Sequence, residues 1–295
     1  MRELTFVGAV TRDRGRKPGN WLAGGAVLYA GAAATALGHP VRVVTVHDDR
    51  FIRPPSTDDW TWQCHASPTT TQFENVELGE VRRQRLWQRA SPVDCARIAA
   101  SSWRANGWVV LAPVFDELDL QVALNWSQKL RIGGRCLIPQ GWLRAGSGRQ
   151  WPIDVTPRSR LLEIAGWARD CGVTFDCICL SESELGTEPG ALEILRRATH
   201  VLAVTRGARG ASVFMGKSRL EVGVIAASVR DATGAGDCFA GALIAGLAQD
   251  LELSVAARLA SAAAGLSTER VGVARLDSAR IVSLADSVTL ERFAE

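Results

Sequence analysis

Short runs of Val, Ile and Leu alternate along the chain with segments that have the apolar spacing of helices. The strand-like runs include "LTFVGAV", "VRVVTV", "WVVLAPV", "FDCICLS" and "VLAVTRG", and helix-like segments such as "AVLYAGAAATALG" and "ALEILRRATH" lie between them. Continuous apolar strands are typical of parallel sheets that are covered on both faces. The pattern therefore predicts an α/β layered fold with a mostly parallel central sheet.

Two segments interrupt this alternation. Residues 69–89, "TTTQFENVELGEVRRQRLWQR", have the pattern of two polar strands around a turn at Gly79, and we expect them to form a small flap over a cleft. The segment "HVLAVTRGARGASVFMGKSRLEVGV" has tight glycine turns and no space for crossover helices, so it predicts antiparallel edge strands. No internal repeat or linker divides the chain, which predicts a single domain over residues 1–295.

Composition limits the classes of function. A chain of 295 residues that is 47% hydrophobic can bury a large core. A net charge of +3 without a long basic run gives no reason to expect nucleic-acid binding. No segment reaches about 18 uninterrupted apolar residues, and the start "MRELTFVGAV" lacks the apolar core of a signal peptide. We therefore expect a cytoplasmic protein with no membrane partner.

The seven cysteines are an odd number scattered through the chain, which favours reduced thiols over a disulfide framework. Cys177 and Cys179 alternate with other residues in "FDCICL", so strand geometry places both on one face. A buried core strand is the favoured interpretation, and a redox or metal pair is the alternative.

Two nucleotide-binding motifs are absent. "GKS" at Gly216–Ser218 resembles the end of a phosphate-binding P-loop, but Ala211 stands where that motif needs its first glycine, and a strand pattern follows instead of a helix. No G-x-G-x-x-G follows the first strand, which argues against a nicotinamide-dependent oxidoreductase.

The most informative stretch is "VRDATGAGDCFAGALIAGL". Asp231 and Asp237 flank a turn of small residues, Gly234, Ala235 and Gly236, and an apolar helix follows. The free amides at the start of a helix favour an anion, and a carboxylate beside them is a candidate base. The stretch therefore predicts a phosphate site with an adjacent general base.

This stretch resembles the C-terminal signature of the ribokinase-like (PfkB) carbohydrate kinase family. Other segments follow in the family's order along nearly the whole chain: "VGAVTRD", "GGAVLYAGAAATALGHPVRVVT", "LSESE" and "VTRGARGA". The resemblance implies a three-layer α/β/α fold with antiparallel edge strands and a β lid. The glycine-pair segment and the abbreviated N-terminus are most similar to the inositol kinase-like branch.

The resemblance implies a role for each matching residue on the phosphate side. Asp237 would be the general base, and the turn Gly234–Asp237 would supply amides for an anion hole; the proton moves late in phosphoryl transfer, so no large pKa shift is required. Glu184 would organise Mg²⁺, with Ser181 replacing the family's usual Asn. The residues that would bind ATP are Thr205, Gly207, Gly210, Asp231 and Thr233. Arg206 or Arg209 would add positive charge.

On the acceptor side, the resemblance implies that Asp13, Gly24 and Gly25 bind the substrate. Tyr29 stands where many sugar kinases have Asn, so the pocket should differ from that of a standard ribokinase. The segments "FENVELGEVRRQRL" and "PQGWLR" fit as further pocket elements, with Arg82, Arg83 or Gln140 reaching a polyol; a solvent-exposed role for each is the alternative.

The lid should be reduced. Only ten residues separate Asp13 from Gly24, where many members of the family have a longer stretch, so we expect the lid to consist of the 69–89 flap alone. Lids in this family often form the dimer contact. A homodimer and a monomer therefore both stay open.

Together these features predict an ATP- and Mg²⁺-dependent phosphotransferase acting on a hydroxyl of a small polyol, a sugar or a cyclitol such as inositol. A nucleoside kinase of the same fold is the alternative, since Trp21, Tyr29 or Phe73 could stack on a base. A sugar-binding regulatory relative with little turnover is another alternative, because Ser181 alters the metal-side motif.

Overall fold

The structure is a computed structural model, and it describes residues 1–15, 20–78, 81–95, 98, 106–148, 150–186 and 188–294. Its larger sheet has ten strands in the order β16-β15-β14-β13-β12-β9-β8-β1-β4-β5. These strands are β1 (Leu4–Val7), β4 (Val41–His47), β5 (Thr61–Ala66), β8 (Trp108–Leu111), β9 (Gly134–Leu137), β12 (Phe175–Ser181), β13 (Thr199–Thr205), β14 (Ala211–Met215), β15 (Ser218–Val222) and β16 (Leu290–Ala294).

The direction of the strands confirms the predicted sheet. All pairings from β13 through β12, β9, β8, β1 and β4 to β5 are parallel, and the pairings of β13 with β14, β14 with β15 and β15 with β16 are antiparallel. Every residue of β1 and β8 is buried, as expected for strands covered on both faces. The "GKS" sequence lies at the turn of the β14–β15 hairpin, so it has no helix behind it.

Eight helices connect and cover these strands in the described part of the chain. They are α1 (Ala26–Ala36), α2 (Leu120–Gln128), α3 (Leu161–Asp170), α4 (Glu182–Leu185), α5 (Ala191–Ala198), α6 (Ala235–Ala248), α7 (Leu253–Ser267) and α8 (Ser278–Ala285). Helix α6 packs on both α1 and α7. A Cβ on Gly241 of α6 would lie 2.1 Å from the carbonyl oxygen of Ala30 in α1, so the two helix backbones are in direct contact. None of the helices described has the length and apolar character needed to cross a membrane.

A second sheet has six strands in the order β10-β11-β7-β6-β2-β3, and we call it the lid. Its strands are β2 (Thr11–Arg14), β3 (Trp21–Gly24), β6 (Thr71–Leu78), β7 (Val81–Gln88), β10 (Arg144–Ser147) and β11 (Ile153–Pro157). Strands β6 and β7 pair as an antiparallel hairpin within the segment 69–89 that was expected to form a flap. The turn at Gly79 and the side chain of Arg82 lie outside the described part of the chain.

The prediction that the lid consists of this flap alone is wrong. The short stretch between Asp13 and Gly24 still forms an antiparallel pair, β2 with β3, because each strand needs only four residues. On the other side of the hairpin, β10 and β11 pair with each other, and β11 pairs with β7. The lid thus draws strands from three separate parts of the chain.

A buried carboxylate organises the edge of the large sheet below the lid. Glu117 is fully buried and accepts hydrogen bonds from the backbone amides of Ala9 at 2.9 Å, Val114 at 2.8 Å and Phe115 at 2.7 Å. These amides belong to the segments that follow β1 and β8, so one side chain fixes two neighbouring loops.

The cysteine prediction is also settled, since Cys177 and Cys179 are free and buried in the core.

Candidate active site

The start of α6 lies directly against Tyr29. Gly234, which precedes the helix, has the left-handed backbone conformation with φ 78°. A Cβ at this position would lie 2.2 Å from Cγ of Tyr29, so the turn needs glycine for its conformation and for the space that it leaves. The first turn of the helix is therefore held in place by the ring beneath it.

Two backbone amides at this helix start are free to bind an anion. No side chain caps α6, and the Ala235 amide donates to the carbonyl of Ala232 at 3.3 Å. Among the described residues, the Gly236 and Asp237 amides donate no hydrogen bond. The helix thus presents two of the predicted amides, together with the positive end of its dipole.

The loop before the helix is shaped by local hydrogen bonds. Asp231 accepts a hydrogen bond from the Thr233 amide at 2.9 Å, and the Thr268 carbonyl accepts from the amides of Arg230 and Asp231. These bonds orient the turn toward the cavity, and Thr233 lines that cavity.

Asp237 lies in a cavity of about 270 Å³ between the large sheet and the lid. Burial raises the pKa of Asp237 to about 7; the nearby Glu184 and Asp13 act in the same direction, and the Arg144 guanidinium acts against them. A carboxyl group with a pKa near neutrality is a much better proton acceptor than an ordinary aspartate. The surroundings of Asp237 therefore raise its pKa, although the sequence analysis required no such shift.

Asp13 faces this base from the lid. The Thr11 hydroxyl donates to Oδ1 of Asp13 at 2.9 Å, and both residues line the cavity. A Cβ on Gly24 of the neighbouring strand would lie 2.3 Å from Oδ2 of Asp13. The first glycine of the pair is thus explained by the space that the Asp13 carboxylate occupies.

Tyr29 forms part of the cavity floor and is only 5% exposed. Burial raises the pKa of its phenol, and the carboxylates of Asp13 and Asp231 raise the pKa further. The hydroxyl therefore stays protonated at neutral pH and remains a hydrogen-bond donor.

The lid strand β7 contributes Gln84 to the cavity, and not the predicted Arg83. Neighbouring residues of a strand point to opposite faces, and the fully buried Leu86 marks the inward face of β7. Gln84 shares that face, whereas Arg83 lines an adjacent chamber. Alternation with Leu86 is a signal in the sequence that could have identified Gln84.

Arg144 is the main cavity residue that sequence reasoning did not single out. Its guanidinium donates to the Val114 carbonyl at 3.2 Å and lies over the Phe73 ring, 5.7 Å from the centroid. The predicted Gln140 lies in the same segment and also lines the cavity. The segment "PQGWLR" was the signal, but only the fold brings its last residue next to Asp237.

Ser181 and Glu184 form a reciprocal cap on the short helix α4. The Ser181 hydroxyl accepts from the Glu184 amide at 3.2 Å, and the Glu184 carboxylate accepts from the Ser181 amide at 2.7 Å. The spacing Ser-x-x-Glu is the sequence signature of this capping box. The replacement of Asn by Ser therefore keeps Glu184 in a fixed position at the cavity wall.

The residues present fit a magnesium ion that is bound mostly through water and phosphate oxygens. No cluster of three or more His, Cys, Asp or Glu side chains with the spacing of a metal site exists among the described residues. Mg²⁺ is commonly held by one or two carboxylates plus substrate phosphates, and Glu184 has one oxygen engaged in the cap and a second for this purpose. Three carboxylates around the cavity against one guanidinium also favour a cation.

The expected ATP-binding residues after β13 lie outside the cavity. Thr205 ends β13, and its Oγ1 lies 3.8 Å from where a Cβ on Gly236 would be, which places it beside the helix start. Gly207–Arg209 form one 3₁₀ turn. The charges of both predicted arginines are paired, Arg206 with Glu221 and Arg209 with Glu182.

The cavity therefore unites half of the predicted site residues. It is lined by Asp13, Gly25, Tyr29, Gln140, Glu184, Thr233, Gly234 and Asp237. It is also lined by Phe73, which the sequence analysis named for stacking on a base, and by Ser181, which it named as the replacement for Asn. The lining residues that it did not name individually are Thr11, Ala26, Asn75, Gln84, Val114, Arg144 and Ser183. The predicted residues that do not line it are Gly24, Arg83, Thr205, Gly207, Gly210, Asp231, Ala235 and Gly236.

A family model and a curated relative match parts of this chain. Residues 175–279 match the model of the pfkB family carbohydrate kinases. A ribokinase of Lactococcus lactis is 40% identical over 80 residues, a match that spans 27% of this chain and 27% of that protein. The chain thus spans about a quarter of the length of this curated relative.

The fold is shared with solved structures over nearly the whole chain. A pyrophosphate-dependent kinase in the ribokinase family, complexed with a pyrophosphate analog and myo-inositol, has a TM-score of 0.75 at 20% identity and covers 93% of this chain and 98% of its own. A nucleoside kinase of Methanocaldococcus jannaschii has a TM-score of 0.73 at 14% identity, and the match covers 97% of this chain and 99% of the nucleoside kinase. At these identities the likeness establishes a ribokinase-like fold.

Proposed function

We propose the activity of this chain from the match of residues 175–279 to the model of the pfkB family carbohydrate kinases and from its ribokinase-like fold. The chain is a phosphotransferase that uses ATP to phosphorylate a hydroxyl of a small polyol, a sugar or a cyclitol such as inositol. One observation carries the proposal: Asp237, with a pKa raised to about 7, lies in a cavity beside two free amides of the α6 start.

The reaction follows from these groups. The acceptor oxygen forms a bond to the γ-phosphorus, the bond from that phosphorus to the β-phosphate oxygen breaks, and ADP leaves. Asp237 takes the proton of the attacking hydroxyl, and the amides of Gly236 and Asp237 hold the charge on the transferring phosphoryl group. Mg²⁺ bound near Glu184 would neutralise charge on the donor phosphates.

Side chains on the side of the cavity opposite the α6 start hold the acceptor. Asp13 accepts hydrogen bonds from acceptor hydroxyls, and Gln84 and Gln140 donate or accept at the cavity wall. The lid excludes water, which limits transfer of the phosphoryl group to water. Thr205, Gly207, Gly210, Asp231 and Thr233 are proposed to contact ATP near the helix start.

A polyol is preferred to a nucleoside because the aromatic faces are occupied. The Tyr29 ring packs against Gly234 and is 5% exposed, and Arg144 lies over the Phe73 ring, which is 3% exposed. Little of either ring is therefore available to stack on a base. Trp21 is covered by Arg12, whose guanidinium lies 5.6 Å from the ring, and it does not line the cavity. A nucleoside remains the second acceptor class, since a nucleoside kinase shares the fold.

The test is a panel of sugars, cyclitols and nucleosides, each incubated with ATP and Mg²⁺ and with pyrophosphate and Mg²⁺. Release of ADP or phosphate is followed, and the product is identified by mass. The pyrophosphate arm is included because a similar structure is that of a pyrophosphate-dependent kinase. Binding of a polyol without turnover would instead support the regulatory alternative.

Asp237→Asn supplies the residue-level test. It should lower kcat by roughly 10²-fold or more while ATP binding persists, since acid–base assistance is lost. Asp250→Asn is the matched control, because Asp250 is exposed and pairs with Arg2 away from the cavity. Near-normal turnover of Asp237→Asn would remove Asp237 from the role of base.

A further inference from the structure

The connection between β8 and α2 contains a buried carboxylate that the proposed reaction does not use. Glu117 is fully buried; its Oε1 accepts from the amides of Ala9 and Val114, and its Oε2 accepts from the amide of Phe115. It forms no ion pair within the part of the chain that the structure describes. A buried carboxylate without a counter-ion is unfavourable unless hydrogen bonds compensate for the loss of water. The three amides must therefore converge on Glu117 for this region to be stable.

Residues 113–118, which we call the anchor segment, are folded around this side chain. The amides of Val114 and Phe115 belong to the segment itself, so Glu117 closes it into a tight loop. Asp116 within it has φ 51°, a conformation that residues other than glycine seldom adopt. The shape of the anchor segment thus depends on the carboxylate of Glu117.

The chain passes between the large sheet and the lid at six points, which lie before β2, β6 and β10 and after β3, β7 and β11. Before β2, the Ala9 amide donates to the Glu117 carboxylate at 2.9 Å. After β7, the Val93 amide donates to the Glu117 carbonyl at 2.8 Å. After β11, the Arg158 guanidinium lies 3.4 Å from the Asp116 carboxylate. The anchor segment therefore holds the chain at three of these points.

A fourth point, before β10, is held by the two ends of the anchor segment. The Gly141 amide donates to the Pro113 carbonyl at 2.8 Å, and the indole N–H of the buried Trp142 donates to the Leu118 carbonyl at 2.7 Å. A Cβ on Gly141 would lie 2.5 Å from the carbonyl carbon of Pro113, so the two backbones are in direct contact. A shift of the anchor segment should therefore move residues 139–143 with it.

Each side chain proposed to hold the acceptor lies next to one of these points. Asp13 lies on β2, Gln84 on β7 and Gln140 between β9 and β10, and all three line the cavity. The start of α6 is held differently, by the contact of Gly234 with Tyr29 of α1. The acceptor side and the phosphate side of the cavity thus have separate supports.

We infer that Glu117 is a positioning residue: through the anchor segment it sets where the three acceptor-binding side chains lie relative to the start of α6. The inference rests on the proposed kinase function and adds to it a residue that does not line the cavity. Transfer between two bound groups is sensitive to displacements of about 1 Å. A carboxylate suits this position because both of its oxygens accept hydrogen bonds, whereas an amide side chain has one accepting oxygen.

Glu117→Gln is the test, and hydrogen exchange of the unliganded protein is its first measurement. Gln keeps the size of the side chain but replaces one oxygen with an NH₂ group, which cannot accept from a backbone amide. Exchange should become faster by on the order of tenfold in peptides that cover β2, β7 and residues 139–147, and it should stay unchanged in α6. This measurement requires no knowledge of the acceptor.

Steady-state kinetics are the second measurement, with ATP, Mg²⁺ and the sugar or cyclitol of the panel above that the wild-type protein phosphorylates. Glu117→Gln should raise the KM for this acceptor by on the order of tenfold, because the groups that bind it are displaced. The KM for ATP should change by less than about twofold, since α1 and not the anchor segment holds the α6 start. A loss of folded protein alone would lower kcat and leave both KM values unchanged.

Asp176→Asn is the matched control. The Asp176 carboxylate accepts from the Arg135 amide at 2.7 Å, so this variant also weakens a bond between a carboxylate and a backbone amide. Asp176 lies near the start of β12, whereas the cavity adjoins the end of that strand at Ser181. The control should therefore change neither KM value.

Trp142→Phe is a second variant that decides the question if Glu117→Gln does not fold. It keeps an aromatic ring in the core and removes the donor to the Leu118 carbonyl. It should raise the KM for the acceptor by roughly threefold and leave that for ATP unchanged, because one of several bonds to the anchor segment is lost. Thermal unfolding of each variant checks that it is folded.

The outcomes separate the two proposals. If the wild-type protein phosphorylates no acceptor of the panel, the kinase function itself is refuted, and the inference falls with it. If turnover occurs but Glu117→Gln, or Trp142→Phe in its place, changes both KM values equally or neither, the inference alone is refuted. Equal acceleration of exchange in α6 and in the lid strands would also refute it, because Glu117 would then support the whole fold and not the acceptor side.

Discussion

Asp237→Asn should stabilise the folded protein, and the gain should grow as the pH rises. Burial raises the pKa of Asp237 from 3.8 to about 7. Between these values the unfolded chain releases the proton while the folded protein retains it, so the stability of the wild-type protein falls with rising pH. Above about 7 the proton is lost in both states and the fall ends. Asn does not ionise in this pH range, so the variant avoids this loss of stability.

The size of the effect follows from the same pKa values. A rise from 3.8 to about 7 corresponds to about 4 kcal/mol of unfavourable free energy for the ionised form. Part of this loss of stability occurs below pH 5, because Asp237 in the unfolded chain begins to ionise there. The stability difference between variant and wild type should therefore increase by roughly 2 to 3 kcal/mol between about pH 5 and about pH 8.

Urea unfolding of both proteins at the two pH values measures this difference without knowledge of the substrate. Asp250→Asn is the control: a hydrogen bond from Arg2 lowers the pKa of Asp250, so this group is ionised in both states over the range and should give a constant difference. A difference between Asp237→Asn and wild type that does not change from about pH 5 to about pH 8 would refute the reasoning about the buried carboxylate.

Three further predictions concern the same site. With a turned-over acceptor, kcat/KM should rise with pH to a plateau above about 7, because the ionised form of Asp237 is the base; a profile that is flat through neutrality would contradict this. Gly234→Ala should cost roughly 3 kcal/mol or more in unfolding experiments, because its φ is 78° and the Tyr29 ring occupies the space, whereas Gly172→Ala, with φ 61° and no atom within 4 Å, should cost only about 1 kcal/mol. Ser181→Ala should lose about 1 kcal/mol of stability and part of the activity through a loosened Glu184, and Ser181→Asn, which keeps a capping oxygen, should retain both; equal behaviour of the two variants would count against the capping box.

The sequence was sufficient for the large sheet and the start of α6. Apolar runs such as Val41–His47 and Phe175–Ser181 predict buried strands because their burial is local and continuous. The positions of Gly234 and Asp237 could be predicted because the turn and the helix it precedes are adjacent in the chain. Local structure of this kind depends on few long-range contacts.

The lid and the cavity wall were harder to predict from the sequence than the large sheet. Strands β2, β3 and β10 have only four residues each, too few for a clear alternation, and the sheet unites segments more than a hundred residues apart. The choice between Arg83 and Gln84 depended on which face of β7 is buried. The contact of Arg144 with Phe73 joins two strands that do not pair with each other.

The two close contacts between α1 and α6, Tyr29 with Gly234 and Ala30 with Gly241, join the floor beneath the acceptor to the amides that receive the phosphoryl group. At both points the contact is direct, which resists sliding of one helix past the other. We expect entry of a substrate and exit of a product to depend on movement of the lid strands. Redesign of acceptor choice should accordingly begin on β7, β10 and β11, where a substitution can alter fit without displacing the phosphate-binding block.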